Sequence, residues 1–300
     1  METEPRIETA LEQAVAKATA QPCPAQLAEA LRYAVFPGGG RVRPGLCLAV
    51  AKAYGDPDPE LSDAAAVAVE LLHCASLVQD DLPCFDDAPL RRGQPSLHRR
   101  FGQEIAILVG DALIVMAFSA VASHVVAWPA KASGIVAALA HAAGAPAGIA
   151  AGQAWESEAS VDVAAYHHAK TAALFEAAAV AGAIVGGADS RDWRLTGGLL
   201  GEAYQVADDL ADASGESDRL GKPTQQDGKK SRPSIVHDLG MVGAVARLNS
   251  LLDQAVTSIP PCPGRSDVQN FLSLAAARLC PPELRRPRNG AEPDHGSQLA

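Results

Sequence analysis

Aromatic residues are scarce in this chain, at 4% of 300 residues, and β-branched residues seldom run together. Alanine and leucine dominate instead, which disfavours sheets and favours helices. The six cysteines (Cys23, Cys47, Cys74, Cys84, Cys262 and Cys280) stand far apart and form no CxxC pair. That argues against a disulfide framework and for reduced thiols. The N-terminus METEPRIETALEQ lacks the basic-then-apolar pattern of a secretory leader, so a cytoplasmic protein is expected.

Positive charge is also in short supply. Lysine and arginine number 25 against 35 aspartates and glutamates, a net charge of -10. A nucleic-acid partner is disfavoured, because phosphate backbones select for clustered basic residues. Small anionic substrates stay open, since metals or a local basic patch could hold them. One apolar run, IAILVGDALIVMAFSAVASHVVAW at 105–128, has the length of a membrane span. Asp111 interrupts it and Ala, Gly and Ser dilute it, so a helix buried on all sides, with no membrane span, is expected.

What is there reads as one all-α domain over residues 1–283, followed by a polar, Pro- and Gly-rich tail at 284–300 that is expected to be disordered. Helical periodicity covers 7–20 and 25–35, and resumes near Pro44. A nearly all-apolar helix is expected over 62–79 with Ser62 as its N-cap. Further helices are expected over 103–127, as a pair within 131–154, and over 164–186, 192–213 and 234–257. Residues 214–233 read as a loop.

Two acidic clusters break this apolar background. In SLVQDDLPCFDDAPLRRGQPSLH (76–98), Asp80 and Asp81 close an apolar helix just before Pro83, and Asp86 and Asp87 follow. The C-terminal end of a helix carries partial negative charge, so two carboxylates there call for a nearby cation. In YQVADDLADA, Asp208 and Asp212 lie one turn apart on one helix face, a ready oxygen-donor pair for a hard ion. Magnesium fits best, because it takes few carboxylates and completes its shell with water and phosphate. Either cluster alone could be a solvated helix end. Basic residues near both (Arg41, Arg43, Arg91, Arg92, Lys170, Lys222, Lys229, Lys230) suggest metals and cations clamping a diphosphate between two helices.

The order GGxRxRP, DDLPxxDDxxxRRG, KT, YQxxDDLxD and GKP…D…KK, from about residue 25 to 260, resembles trans-polyprenyl diphosphate synthases. The likeness is greatest to short bacterial geranylgeranyl diphosphate synthases. It implies an all-helical isoprenoid synthase bundle, usually a homodimer, with the two Asp-rich motifs facing across a deep central cavity. It further implies that Asp80, Asp81, Asp86, Asp208, Asp209 and Asp212 hold about three magnesium ions. Asp80, Asp81, Asp86, Asp208 and Lys170 would form the catalytic set. Arg91, Lys170, Thr171, Gln205, Lys222 and Lys230 would contact the allylic diphosphate. Arg43, His73 and Arg92 would hold isopentenyl diphosphate.

Two positions depart from the family pattern. Gly40 stands where a lysine is usual, removing one contact to isopentenyl diphosphate unless Arg41 compensates, and Ser231 is followed by Arg-Pro where a threonine is common. By the same resemblance Ala75 and Ser76, just before the first aspartate, floor the product cavity, with Met116 or Phe118 as lower stops. Small residues there leave room for a twenty-carbon product. The alternatives are a farnesyl diphosphate synthase and a non-catalytic partner subunit of the same fold.

Overall fold

The computed structural model describes residues 3–36, 38–214 and 235–279. The expected loop at 214–233 beyond Ser214, with Lys222 and Lys230, and the tail at 284–300 lie outside the described residues. The described elements are almost wholly helical: α1 Thr3–Ala18, α2 Ala25–Val35, α3 Val42–Ala53, α4 Pro59–Asp80, the short α5 Leu97–Phe101, α6 Gln103–Ala122, α7 Pro129–Ala143 and α8 Ile149–Trp155. Then follow α9 Val163–His167, a π-helical turn His168–Ala172, α10 Ala173–Gly186, α11 Ser190–Ser214, α12 Ile235–Thr257 and α13 Arg265–Leu279. Among the described residues the one ladder is a two-residue hairpin, Leu90–Arg91 (β1) against Gln94–Pro95 (β2).

Helix α4 is central. Pro59 in its first turn is preset for the helical φ and lacks only an amide that has no partner there. The Ala, Val and Leu positions that follow are buried almost all round, and the chain turns away after Asp81, ahead of Pro83. Ser62 is not the N-cap that the sequence suggested. The helix begins three residues earlier, and the fully buried Ser62 hydroxyl donates to Asp56 and, at 3.2 Å, to the carbonyl of Asp58. One apolar cluster joins α1–α4, α6, α7, α10, α11 and α13. Within it the indole of Trp193 donates to the Tyr54 hydroxyl at 3.1 Å.

Helix α6 corrects a second expectation. It stops at Ala122 rather than 127, and it is not buried on all sides. Ala106, Val109, Gly110, Leu113, Ala117 and Val121 face the core, while Ile107, Leu108 and Val115 are half or more exposed. Periodicity could not separate these cases, because the helix is apolar on both faces. Among the described residues, three segments (Pro59–Asp80, Gln103–Ala122 and Val163–Gly186) are long and apolar enough to cross a membrane by length and composition. The first and third are 78% buried inside the fold, whereas α6 is 33% buried.

Candidate active site

The hairpin delivers a cation to the end of α4, where the acidic residues required one. Arg91 Nε donates to both oxygens of Asp81, at 3.0 and 3.1 Å, and its Nη2 bonds Asp81 and reaches Asp80 Oδ2 at 3.4 Å. Burial pushes the Asp81 carboxyl up, as do Asp80 and Asp86, against the pull of Arg91. For Arg91 burial acts downward, but the bonds to Asp81 and the charges of Asp81, Asp80 and Asp86 outweigh it, so its guanidinium is held more firmly as a cation. Asp87 points elsewhere, pairing with Arg99 at 2.8 Å and with His98 at 3.4 Å.

The π turn places the second cation. Lys170 Nζ lies 3.3 Å from Asp80 Oδ1 and also pairs with Glu156. The neighbouring Thr171 donates to Gln205 Oε1 at 2.7 Å, so this turn ties the acidic end of α4 to α11. Glycines let the helices approach it. A Cβ on Gly152 of α8 would lie 2.6 Å from the Lys170 amide nitrogen, and one on Gly201 of α11 would lie 2.5 Å from Ala172 Cα. Such π turns recur at functional sites, because the extra residue re-aims the side chains around it.

On α11, Asp208 is exposed and Asp212 half-buried, one turn apart as the spacing required. Asp209 is different: it is 2% exposed and turned inward. Its Oδ1 accepts from Gln205 Nε2 at 2.8 Å and its Oδ2 accepts from the amide of Ile235, the first residue of α12, at 2.8 Å. It thus caps α12, satisfying an amide that a helix start leaves open. Gln205, expected on the allylic diphosphate, has both ends of its amide engaged by Thr171 and Asp209.

A third group forms beside α3. Arg43 lies with its guanidinium 4.3 Å from the Phe175 ring centroid and 5.8 Å from that of Tyr204, and its Nη1 is 3.5 Å from His73 Nε2. Its Nε is buried without a hydrogen-bond partner. Burial pulls the Arg43 guanidinium down from its usual value, opposed by Tyr204, Glu70 and Asp208. Arg92 donates to the carbonyl of Gly38 and packs on Gly39, whose φ of +141° and absent Cβ make room for the guanidinium. Arg41 does not stand in for the missing lysine at Gly40. It is sealed in the core, bonded to Glu70 at 2.5 Å, Glu8 at 2.7 Å and the Val35 carbonyl at 2.8 Å.

Ser76 shares the strip of α4 that carries His73 and Asp80, whereas Ala75, about 140° round the helix from Asp80, is sealed in the core. Met116 and Phe118 are both half-buried on α6, but about 200° apart, so they border different walls. A groove of about 650 Å³, lined by Leu195, Leu199, Asn249 and Asp253 among others, touches none of the predicted site residues. One residue escaped the sequence reading. Carboxylate oxygens of Asp80, Asp86 and Glu156 come within 4.8 Å of one another; Asp80 and Asp86 offer oxygen donors that suit a hard divalent cation such as magnesium, while Glu156 is already bonded to Gln153, Tyr166 and Lys170. Nothing in WESEAS marks Glu156 apart from any other acidic loop residue; only the packing of α8 on the π turn brings it in.

An all-helical frame in which two acidic helices flank a cation-bearing π turn defines an isoprenoid synthase. The family model described as polyprenyl synthetase matches residues 24–258, and the chain belongs to that family. The geranylgeranyl diphosphate synthase of Cereibacter sphaeroides is 50% identical over 284 residues, 95% of this chain and 99% of that protein. The enzyme of the same name from Rhodobacter capsulatus is 46% identical over 93% of this chain and 96% of its own length. Among solved structures, a geranyltransferase from Helicobacter pylori, complexed with magnesium and isoprenyl diphosphate, superposes with a TM-score of 0.77 at 25% identity, covering 93% of this chain and 98% of that one. An FPP/GFPP synthase from Zymomonas mobilis gives 0.75 at 28% identity, over 92% and 99%.

Proposed function

We propose that this protein is a trans-prenyltransferase that condenses isopentenyl diphosphate with allylic diphosphates and releases geranylgeranyl diphosphate as its main product. The observation that carries the reading is the position of Lys170. It contacts the first acidic motif through Asp80, and its neighbour Thr171 engages the second acidic helix through Gln205. The near full-length likeness to two geranylgeranyl diphosphate synthases supports the twenty-carbon product.

Asp80, Asp81, Asp86, Asp208 and Asp212 would hold the magnesium ions, about three in number. Bound magnesium supplies charge stabilisation to the departing diphosphate. Arg91 and Lys170, with Lys222 and Lys230, bind the allylic diphosphate, and Arg43, His73 and Arg92 orient isopentenyl diphosphate. The bond from C1 of the allylic chain to the diphosphate oxygen breaks, the double bond of isopentenyl diphosphate attacks C1, and a proton leaves the new cation to the released diphosphate. Phe175 and Tyr204 wall the arginine side with rings, keeping water from the cation. Asp209 and Gln205 hold the frame instead of touching substrate.

The exposed Ile107, Leu108 and Val115 face of α6 is read as the contact with a second copy of the chain, giving a homodimer. Residues 1–283 are read as one domain working in the cytoplasm. Incubation with isopentenyl diphosphate and dimethylallyl, geranyl or farnesyl diphosphate, with and without magnesium, tests the function. Magnesium-dependent twenty-carbon product is expected. A fifteen-carbon product would make it a farnesyl diphosphate synthase, and no turnover would leave a non-catalytic partner subunit.

A further inference from the structure

We propose that Glu156 is the positioning residue for Lys170, holding its ammonium toward the diphosphate when cations take over Asp80. Glu156 is the C-cap residue of α8, and both its oxygens are engaged. Oε1 accepts from the Tyr166 hydroxyl at 2.9 Å and from Lys170 Nζ, while Oε2 accepts from Gln153 Nε2 at 3.1 Å. The carboxylate therefore has a fixed place before any ligand arrives. Its backbone is fixed as well, because α8 lies directly on the π turn at Gly152, leaving no room even for a methyl group between Gly152 and Lys170.

Lys170 is thus shared between two carboxylates, Asp80 on the metal-binding motif and Glu156 off it. A cation recruited by Asp80 repels the lysine from that oxygen. With Glu156 present, the ammonium keeps a partner and stays at the site. Without it, Lys170 loses its carboxylate partner off the metal-binding motif, so lysine and metal compete at Asp80. Glu156 on this account acts through Lys170 and is not itself a metal ligand. The inference rests on the reading of Lys170 as a diphosphate-binding residue.

The test is a double-mutant cycle on the full-length protein with Glu156→Gln, which keeps shape and removes charge, and Lys170→Met. Binding of inorganic diphosphate in the presence of magnesium is followed by calorimetry, beside the KM for the allylic diphosphate. Glu156→Gln should weaken magnesium-dependent diphosphate binding about tenfold and raise that KM, as loss of one charge-assisted bond predicts. In the Lys170→Met background the same change should cost less than twofold, because the residue it acts through is gone. Glu156→Asp should recover part of the loss. An equal cost in both backgrounds would mean that Glu156 binds the metal or merely supports the fold, and overturns the proposal, as does no cost in the wild-type background. If the wild-type protein itself neither binds diphosphate nor turns over, it is the functional reading that fails.

Discussion

Nη1 of Arg43 lies 3.5 Å from Nε2 of His73, and the arginine has only donors to offer, so the contact is attractive only with a neutral imidazole that accepts at Nε2. Burial first, and then the charges of Arg43, Arg92, Arg91 and Arg41, hold His73 well below its ordinary value of 6.5. The site keeps this histidine uncharged so that the arginines beside it can face an anion without a further repelling cation.

A stability signature follows. His73 takes up a proton near pH 6.5 in the unfolded chain but not in the folded one, so the unfolded state binds more protons below that pH. Stability should therefore fall as pH drops below about 6.5, by up to about 1.4 kcal/mol per pH unit from this residue. Thermal melts of the wild type and His73→Gln at pH 7.0 and 5.5 measure it, and the variant should lose less on acidification. Ring NMR of His73 should show no protonation between pH 8 and 6; a titration there would refute the assignment.

The two adjacent aspartates of α11 should separate activity from stability. Asp208 is exposed, so Asp208→Asn should leave the melting temperature within about 2 °C while abolishing turnover. Asp209→Asn keeps one acceptor oxygen where Asp209 uses two, so it breaks one of the buried bonds to Gln205 and Ile235, at a cost of about 1–3 kcal/mol, or several degrees in Tm. If Asp208→Asn keeps near-native turnover, the second metal motif is wrongly placed. Asp80→Ala should also abolish turnover, but Asp80 is buried and paired with Arg91 and Lys170, so it should cost stability as well.

The positions of these two residues explain what was legible beforehand. Runs of alanine and leucine specify helices locally, so α2, α4, α11 and the run from α9 to α10 were readable to within a few residues, without the π turn inside that run. Residue patterning alone did not single out Lys170, whereas a cation beside Asp80 and Asp81 was readable, because carboxylates at an apolar helix end demand a partner, and Arg91 fills that place. The inward turn of Asp209 was not, since it depends on α12 starting beside it, and neither was Glu156, which depends on Gly152 packing against a π turn. Nor was α13 over 265–279, where Val268 is the one apolar residue among the first six. For α6, composition gave the helix but not its outer face, which a single chain leaves uncovered.

Arg41 and Gly40 make a third pair of tests. Arg41→Met leaves Glu70 buried without its partner, so it should destabilise the fold by about 3–5 kcal/mol, visible in denaturant melts. Gly40→Lys should restore a cation near the isopentenyl diphosphate side. A Cβ there meets only Val42 Cγ2, at 3.2 Å, which a small side-chain shift relieves. The KM for isopentenyl diphosphate should fall about two- to fivefold, in line with one added exposed charge contact. No change in KM would show that this position lies off the substrate.

We place the chain-length stop on α4. Ser76 stands between His73 and Asp80 on the half-buried strip of the helix, and its hydroxyl is turned back onto the His73 carbonyl at 2.8 Å, so a larger side chain there projects into the space beside the aspartates. Ser76→Phe should shift the main product from twenty to fifteen carbons with little change in Tm, as read by chromatography of the products. Ala75 is 1% exposed, so Ala75→Tyr must displace packed neighbours and should cost about 1–3 kcal/mol while shortening the product. If Ser76→Phe leaves product length unchanged and Ala75→Tyr alone shortens it, the growing chain passes behind α4 at Ala75 and not along the strip that carries Ser76.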